Sequence, residues 1–253
     1  MQINNGAVRQ VTFDRPDARN AMTAEVAREL ADALADLDPD THDAVVVTGE
    51  GDTFSAGGDI TAMADREETT PEAYERVRST LGRVAENALS APVPIISKVN
   101  GDAVGAGMSF VAVSDFAYAA ASARFGATFV NVGLVPDMGA TAILPQLIGL
   151  RKTKELAFTG DLVDAEAAAE MGLVNGVVPD DKLDDRVTDL VETLQDRPTA
   201  SIGLAKEAIH DSLGESWRDG LGREARLQSM AYDTPAHQEG IDAFLNGRRP
   251  DFE

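Results

Sequence analysis

The stretch that decides the fold is KVNGDAVGAGMSFVAVSD, which occupies residues 98–115. A short predicted strand, 95–99, enters a turn with glycines at 101, 105 and 107, and an apolar helix is predicted to begin at about Ala106. Such a turn leaves backbone N–H groups unpaired at a helix N-terminus, where the helix dipole favours negative charge. The turn is therefore expected to bind an anion, either a ligand phosphate or an oxyanion that forms on a carbonyl group during reaction.

Around this turn, predicted strands and helices alternate as far as about residue 180. The predicted strands are 7–13, 44–48, 95–99, 116–120, 123–125 and 174–178, and the predicted helices are 23–37, 71–89, 106 onward, 138–148, 152–159 and 165–171. From residue 181 nearly every segment has helical character. The pattern predicts an α/β core with a helical C-terminal part, and the boundary between them is expected between residues 180 and 200.

A second glycine-rich loop, TFSAGGDI at residues 53–60, follows the buried strand predicted at 44–48. One interpretation is a tight connection in which Asp59 caps the next helix. The other is a second set of backbone donors that converges with the first turn on one oxygen atom, which is the geometry of an oxyanion hole. Spacing alone leaves both interpretations open.

The third informative segment is GLVPDMG at residues 133–139, where Asp137 directly precedes a predicted apolar helix. Asp is a favoured N-cap residue, so a purely structural role is one interpretation. The other is a carboxylate at the rim of an apolar pocket, where burial raises its basicity enough for acid–base catalysis.

Composition limits the partners of the chain. Its 253 residues carry a net charge of −21, and only five of the 22 basic residues are Lys. An acidic excess of this size argues against nucleic acid and against an anionic membrane surface as partners. Because the acidic residues are spread along the chain, we expect a folded protein of a high-salt cell interior, where ions screen their repulsion. No long apolar run and no signal-peptide pattern is present, so a cytoplasmic location is expected.

Several chemistries are excluded by what the sequence lacks. There are no cysteines, which rules out disulfides, thiol nucleophiles and thiolate metal sites. The three histidines, at 42, 210 and 237, show no metal-ligand spacing, and no metal is expected. The phosphate-binding motif G-x-x-x-x-G-K-[ST], the dinucleotide fingerprint and the G-x-S-x-G nucleophile turn are also missing.

Jointly, the three segments resemble the crotonase (enoyl-CoA hydratase/isomerase) superfamily. The resemblance extends from DRPDARNAM at residues 14–22 to GRRPDF at residues 247–252, with TFSAGGDI, NGDAVGAG and GLVPDMGAT between them in the family's order. It implies a crotonase-like spiral of β-β-α repeats over residues 1–195 and a helical C-terminal trimerisation region over residues 196–253. Homotrimers or dimers of trimers are the assemblies that it implies.

The resemblance also implies a coenzyme A thioester as the substrate, with no separate cofactor. The thioester oxygen would accept hydrogen bonds from the backbone amides of Ala56 and Ala106, which would stabilise an enolate. Coenzyme A itself would be bound by residues from the same motifs: Arg15 and Arg19 near the nucleotide, Asp59 and Ile60 along the adenine and pantetheine path, and Arg248 or Arg249 at a phosphate.

Departures from the family's hydratases bear on the reaction. Those hydratases carry two glutamates, and the matching positions here are Ser109 and Phe129, neither of which is an acid or a base at neutral pH. Asp137 is the remaining carboxylate, and GLVPD resembles the isomerase branch of phenylacetate degradation (PaaG-like), to which a catalytic Asp is assigned at this position. The resemblance therefore favours an enoyl-CoA isomerase with Asp137 as its single acid/base and with Phe129, Leu134 and Met138 lining the acyl pocket.

Three alternatives stay open. An enoyl-CoA hydratase of fatty-acid or aromatic-acid degradation could use Asp137 with an activated water. A dehalogenase-type relative would need a nucleophilic carboxylate, and Asp137 is close to where such members place theirs, but no His or Trp lies nearby in the sequence to support aromatic substitution. An acyl-CoA-binding protein with little turnover would keep both amide loops but lack a carboxyl group with a raised pKa.

Overall fold

The computed structural model describes residues 1–64 and 66–252 of the chain. Its strands are β1 (Gln2–Asn4), β2 (Val8–Phe13), β3 (Ala44–Gly49), β4 (Thr53–Ser55), β5 (Ile95–Val99), β6 (Asp102–Val104), β7 (Phe116–Ala120), β8 (Arg124–Gly126), β9 (Val163–Asp164) and β10 (Gly176–Val178). Its α-helices are α1 (Ala24–Ala35), α2 (Ile60–Ala64), α3 (Thr70–Ser79), α4 (Leu81–Ser90), α5 (Ala106–Val113), α6 (Ala140–Leu147), α7 (Gly149–Thr159), α8 (Ala165–Glu170), α9 (Leu183–Gln195), α10 (Thr199–Asp211), α11 (Trp217–Tyr232) and α12 (Pro235–Leu245). Short 3-10 helices cover Pro16–Ala18, Thr128–Val132 and Asp180–Lys182.

The strands form two sheets that the chain visits in turn. The large sheet has the order β1-β2-β3-β5-β7-β10, with parallel pairs except for β1 with β2. The small sheet has the order β4-β6-β8-β9, with parallel pairs except for β8 with β9. A turn of the chain adds one strand to each sheet and then a helix, as in β3-β4-α2 and β5-β6-α5. This arrangement confirms the α/β class and the expected spiral of β-β-α repeats.

Neighbouring strands of the small sheet bring the two glycine-rich loops together. β4 and β6 are parallel, with Thr53 opposite Asp102 and Ser55 opposite Ala103. Because parallel strands end at the same edge of a sheet, the loops that follow β4 and β6 leave the sheet side by side. The fold therefore provides the proximity that an oxyanion hole made from two loops requires.

Three buried phenylalanines anchor this region. Phe13 of β2 lies edge-on to Phe54 of β4, with ring centroids 5.7 Å apart, and Phe110 of α5 stacks on Phe54 at 6.5 Å. Aromatic pairs of this geometry add about 1 kcal/mol each beyond their burial. Strand β4 and helix α5 are thus fixed relative to each other close to the point where their loops meet.

The helical C-terminal part contacts the core in two ways. Helix α9 packs on the large sheet through an apolar face formed by Leu183, Val187, Leu190 and Leu194. Helix α10 packs instead beside α4 and α11. The presence of this helical part is confirmed, whereas the boundary between residues 195 and 196 and the role of the region in oligomerisation stay predictions.

A buried ion pair joins α10 to the core. Lys206 Nζ lies 2.6 Å from Asp115 Oδ2, and the two side chains are only 5% and 15% exposed. The same carboxylate accepts the backbone N–H of Ile95, at the start of β5, at 2.8 Å. Burial lowers the pKa of Lys206, and the adjacent Asp115 carboxylate opposes that shift. The pair connects the last part of the chain to the strand that precedes the glycine-rich turn.

The Lys206→Met variant is expected to destabilise the fold by about 3 kcal/mol, because it leaves the Asp115 carboxylate buried without its cation. The matched control is Lys152→Met, which removes an exposed ion pair with Glu155 at 2.9 Å and is expected to have a much smaller effect. Urea unfolding at one fixed salt concentration measures both. Equal losses of stability in the two variants would contradict this account of the buried pair.

Two of the differences in helix bounds have a cause in the backbone angles. The helix predicted over 71–89 is divided into α3 and α4 at Thr80, whose φ of −116° and ψ of −93° are not helical. The helix predicted from Met138 begins at Ala140 instead, since Met138 and Gly139 both have left-handed φ angles, 50° and 78°. The short strands β1, β4, β6 and β9 are absent from the predicted pattern because they have too few residues to show alternation.

Candidate active site

The two glycine-rich loops touch where no side chain would fit. Gly57 has a φ of 85°, and a Cβ on it would lie 2.7 Å from the carbonyl oxygen of Val104 and 3.0 Å from the amide nitrogen of Ala106. A Cβ on Gly107 would lie 2.5 Å from the carbonyl oxygen of Ser55. Glycine is therefore required at both positions for the backbones to approach each other. As a result, the amide of Ala106 lies beside the loop at residues 53–60.

The Ala56 amide is not free, and the prediction that it donates to a substrate oxygen is wrong. Its N–H donates to the carbonyl oxygen of Arg19 at 2.9 Å. The physical reason is a backbone pairing that joins this loop to a segment distant in sequence, in which the Met22 N–H also donates to the carbonyl of Gly57 at 2.7 Å. The loop needs these bonds to hold its shape, so Ala56 has a structural role.

Gly58 carries the amide that this loop leaves unpaired. The Gly57 N–H donates to Ser55 Oγ at 3.2 Å, and the Asp59 N–H donates to the carbonyl of Met22 at 3.0 Å. Among residues 1–64 and 66–252, the Gly58 N–H has no hydrogen-bond acceptor. Sequence reasoning missed this residue, because the Gly57-Gly58 pair does not reveal which amide of the loop is free.

The second unpaired amide belongs to Ala106, the first residue of α5. Gly105 precedes it with a φ of 54°, and the first bond of the helical ladder runs from the Ser109 N–H to the Gly105 carbonyl at 3.0 Å. The Ala106 N–H therefore has no acceptor within its helix, and the described part of the chain offers none elsewhere. Ala106 stays a candidate donor, with Gly58 rather than Ala56 as its companion.

The Asp137 carboxyl group is half-buried and incompletely partnered. Its Oδ1 is shielded from solvent and has no hydrogen-bond partner. Burial raises the pKa of Asp137 to about 6, although a hydrogen bond from its own backbone N–H and the charge of Arg76 both act to lower it. A carboxyl group with this pKa exchanges protons readily near neutral pH, as acid–base catalysis requires.

Asp137 is not the N-cap of the following helix. Helix α6 has Gly139 as its N-cap, and the Asp137 carbonyl accepts the Ala140 N–H at 3.1 Å, which closes a four-residue turn. Both central residues of this turn have left-handed φ angles, which is strained for Met138. The strain is held by packing, since Met138 is 3% exposed and Gly139 lies close to Val113 of α5. The turn therefore fixes the position of the Asp137 carboxyl group, which does not cap helix α6.

The predicted acyl-pocket residues differ in burial. Phe129 is 9% exposed and Met138 is 3% exposed, and both belong to the main apolar core. Leu134 is 46% exposed, so almost half of it is accessible to a ligand or to another chain. Contact of these residues with an acyl group stays a prediction.

Arg15 and Asp59 bind each other. Arg15 Nη2 lies 2.8 Å from Asp59 Oδ2, and Arg15 Nη1 donates to the carbonyl of Ala21 at 2.5 Å. Asp59 Oδ1 accepts the Ala62 N–H at 3.0 Å, and this bond together with the Arg15 side chain lowers the pKa of Asp59. Because Asp59 immediately precedes α2, the pair fixes the loop at residues 53–60 to that helix, in agreement with the capping interpretation.

Other residues predicted to bind coenzyme A remain accessible. Arg19 is exposed and forms no ion pair within residues 1–64 and 66–252, and Ile60 is 53% exposed. Arg248 is held by two carboxylates at 2.5 and 2.6 Å. Arg249 has no ion pair in the described part of the chain, so it is the freer of the two C-terminal arginines.

The candidate residues comprise two backbone amides, one carboxyl group and apolar side chains. Within residues 1–64 and 66–252, no group of three or more His, Asp or Glu side chains converges in a way that could hold a metal ion. No helix in that part of the chain is both long and apolar enough to span a bilayer.

Comparison with known proteins agrees with the motifs. The family model described as enoyl-CoA hydratase/isomerase matches residues 3–253. The 1,2-epoxyphenylacetyl-CoA isomerase of Escherichia coli K12 is 33% identical over 247 residues, which cover 97% of this chain and 94% of that protein. Crystal structures of enoyl-CoA hydratases from Bacillus anthracis and Mycobacterium smegmatis each have a TM-score of 0.91 and 29% identity, and the matches cover 99% of this chain and 98% of theirs. The chain therefore belongs to the enoyl-CoA hydratase/isomerase family, the crotonase superfamily that its motifs resemble.

Proposed function

We propose that this acyl-CoA enzyme is an isomerase, which shifts a carbon–carbon double bond near a coenzyme A thioester. The observation that carries the proposal is the shielded, unpartnered Oδ1 of Asp137. Coenzyme A enters as part of the substrate, and the reaction uses no separate cofactor.

In the proposed reaction, the thioester oxygen accepts the N–H groups of Gly58 and Ala106. The Asp137 carboxylate removes a proton from carbon 2 of a 3-enoyl thioester, and the electron pair moves into the thioester to form an enolate. Each amide stabilises the enolate oxygen by about 3 kcal/mol, the usual size of such a contribution. Asp137, now protonated, returns the proton to carbon 4, so that the product is the 2-enoyl isomer and no atom is gained or lost.

The substrate is assigned to the site in two parts. At the coenzyme A end, the exposed Arg19 is the cation for a phosphate and Ile60 is the apolar contact. At the acyl end, Phe129, Leu134 and Met138 form the apolar wall beside Asp137. A phenylalanine at this wall also excludes water, which an isomerase does not need.

A hydratase is the second candidate, and the names of the Bacillus and Mycobacterium structures favour it. Hydration calls for one group that activates water and another that delivers a proton. Ser109 is 1% exposed and its hydroxyl donates to the Gly105 carbonyl at 3.2 Å, while Phe129 has no acid–base group. Asp137 would have to perform both steps alone, so a reaction with a single base is favoured.

Incubation in deuterated water at high salt separates the candidates. The protein is given a 3-enoyl-CoA and, separately, crotonyl-CoA, and the products are identified by mass and by NMR. We expect double-bond migration from the 3-enoyl-CoA and no hydroxyacyl product. Fast formation of a hydroxyacyl product would establish the hydratase instead, and binding of both thioesters without turnover would establish an acyl-CoA-binding protein.

The acid limb of kcat/KM is expected at a pH of about 6, because Asp137 acts as a carboxylate and burial raises its pKa to about 6. Below that pH the protonated fraction grows, and activity should fall about tenfold for each pH unit. Initial rates between pH 4 and pH 9 at constant salt measure the profile. An acid limb at a pH of about 4, where an ordinary Asp titrates, would exclude this buried carboxyl group as the base.

We also propose that the protein assembles as a trimer or a dimer of trimers. Large apolar side chains are exposed on two separate parts of the chain. On the surface of the α/β part, Val135 and Phe158 are 77% and 72% exposed. On α12, Phe244 and Leu245 are 85% and 76% exposed. Contact between the core surface of one copy and the α12 surface of the next would cover both and would close a ring.

Assembly is expected to depend on salt, since each copy carries a net charge of −21 and low ionic strength lengthens the range of their repulsion. Sedimentation at molar salt should give three or six times the chain mass, and dilution of the salt should release single chains. The Phe244→Asp variant should dissociate even at high salt. A mass that stays the same from dilute buffer to molar salt would contradict the halophilic interpretation.

A further inference from the structure

Arg76 is the charged residue that acts on Asp137. It lies in the last turn of α3, and the two side chains influence each other's titration. They do not form an ion pair with each other in the described part of the chain. The hydroxyl of Thr80, where α3 ends, donates to the Arg76 carbonyl at 2.6 Å and fixes this turn of the helix. Asp137 thus lies near a cation that does not bind it.

Glu68 is the residue that binds Arg76. Arg76 Nη2 donates to Glu68 Oε1 at 2.6 Å, and Arg76 Nε lies 3.0 and 2.9 Å from the two carboxylate oxygens. The two side chains are 23% and 24% exposed. A guanidinium and a carboxylate matched in this way form one of the stronger ion pairs in proteins. The pair occupies one edge of the Arg76 guanidinium and neutralises its charge.

In the described part of the chain, the other charged side chains around Arg76 and Glu68 interact with that pair and not with Asp137. Arg66 interacts with Arg76, Glu68 and Asp59, and Glu72 interacts with Glu68. Within residues 1–64 and 66–252, Arg76 is the one charged side chain that shifts the pKa of Asp137.

The helices packed against the turn after Asp137 present apolar groups. A Cβ on Gly139 would lie 3.2 Å from a methyl group of Val113 in α5 and 3.5 Å from the methyl group of Ala85 in α4. These neighbours of the turn carry no charge, so Arg76 stays the one described side chain whose charge acts on Asp137.

We propose that Glu68 holds Arg76 away from Asp137 and thereby keeps the Asp137 carboxyl group unpaired. Glu68 and Arg76 are then positioning residues, and this inference rests on the proposed role of Asp137 as acid/base. A carboxylate that binds a guanidinium has a pKa about 1 to 3 units lower, which makes it a weaker base and leaves it without a proton to return. Glu68 prevents that loss by satisfying the cation first.

The test is a direct titration of Asp137 by infrared difference spectroscopy. The band of its protonated carboxyl group is assigned by its loss in the Asp137→Asn variant, so that no turnover is needed. In Glu68→Gln, Arg76 loses its counter-charge and is free to pair with Asp137, and we expect the midpoint to fall by about one unit. In Arg76→Gln the cation is gone, and we expect the midpoint to rise above that of the wild type. The double variant should titrate like Arg76→Gln.

The matched control is the neighbouring pair on the same helix. Arg78 Nη1 lies 3.0 Å from Glu86 Oε2, and Glu86→Gln removes a carboxylate of the same type without exposing a cation to Asp137. Its titration midpoint and its acid limb of kcat/KM should equal those of the wild type, whereas the acid limbs of Glu68→Gln and Arg76→Gln should move in opposite directions.

The outcomes separate this inference from the proposed function. Midpoints of Asp137 that stay the same in Glu68→Gln and in Arg76→Gln would overturn the inference, whatever the activity. Shifted midpoints in a protein that shows no isomerase turnover would support the arrangement of charges and would overturn only the proposed reaction. Because the two single variants are expected to shift the midpoint in opposite directions, a general loosening of the fold cannot imitate the result.

Discussion

The Asp137→Asn variant is expected to lose isomerase turnover by a factor of about 100 or more while it keeps its affinity for acyl-CoA. Asn has the shape of Asp and preserves the backbone turn, but its amide cannot remove and return a proton. Turnover is measured with a 3-enoyl-CoA, and binding is measured by calorimetry with a saturated acyl-CoA. A low kcat with an unchanged dissociation constant would identify a loss of chemistry.

The same variant is expected to be more stable than the wild type above pH 6. A carboxyl group whose pKa is raised by folding from 3.8 to about 6 contributes its full stability only below pH 3.8 and loses it as the pH rises through 6. The difference of about two pKa units corresponds to at most about 3 kcal/mol. Asn, which does not ionise, avoids that loss at neutral pH. Gained stability together with lost turnover would be the pattern of a functional carboxylate.

Asp164 provides the control for a structural aspartate. It is the N-cap of α8 and accepts the Ala167 N–H at 2.8 Å. Asn is as good an N-cap as Asp, so Asp164→Asn should leave both turnover and stability close to those of the wild type. If Asp137→Asn turns over substrate as fast as Asp164→Asn does, Asp137 is not the acid/base.

The Gly57→Ala variant is expected to lower kcat by a factor of about 100 to 1000, the usual effect of losing one oxyanion-hole donor. Its Cβ would lie 2.7 Å from the Val104 carbonyl oxygen and 3.0 Å from the Ala106 amide nitrogen. Because these atoms belong to backbone, the loops must separate to make room. The Gly58 and Ala106 amides would then move apart, and the proposed binding of one oxygen by both would be lost. Single-turnover rates with a 3-enoyl-CoA measure the effect on the chemical step.

The Gly214→Ala variant is the control that distinguishes the effect of the steric clash at Gly57 from the effect of backbone strain. Gly214 has a φ of 81°, close to the 85° of Gly57, but a Cβ on it would meet nothing within 4 Å. Both variants carry the strain of a left-handed alanine, about 1 kcal/mol, and only Gly57→Ala forces the loops apart. A similar fall of kcat in both variants would mean that strain alone is responsible and that the contact between the loops is not needed for catalysis.

The sequence predicts best the strands, helices and caps that depend on residues adjacent in the chain. Strand β5 and the first residue of α5 lie where the buried strand and the apolar helix pattern place them. Helix α1 begins within one residue of its predicted start, and Thr23 caps it with its hydroxyl oxygen 3.3 Å from the Val26 nitrogen. The raised pKa of Asp137 is predicted for the same reason, since its apolar surroundings are visible in adjacent residues, whereas its catalytic role stays a prediction.

The features that the sequence does not predict depend on contacts between distant segments. Strands β4 and β6 are three residues long, and only their pairing with each other and with β8 defines them. Nothing in the sequence around Ala56 indicates a partner for its amide. The partner is the Arg19 carbonyl, which is distant in sequence and reaches the loop only in the folded chain. Arg76 and Glu68 carry no signal, because charged residues around an exposed helix are usually solvated.

The strand order of the large sheet has a consequence for biosynthesis. From β2 onward, each new strand lies beside the one that the preceding turn contributed, so the sheet extends at a single edge. A ribosome releases the segments in the same order, and every arriving strand meets a template that is already formed. Both amide loops have emerged by residue 113, ahead of the segment that contains Asp137. The nascent chain therefore contains both amide loops before the segment with Asp137 is synthesised.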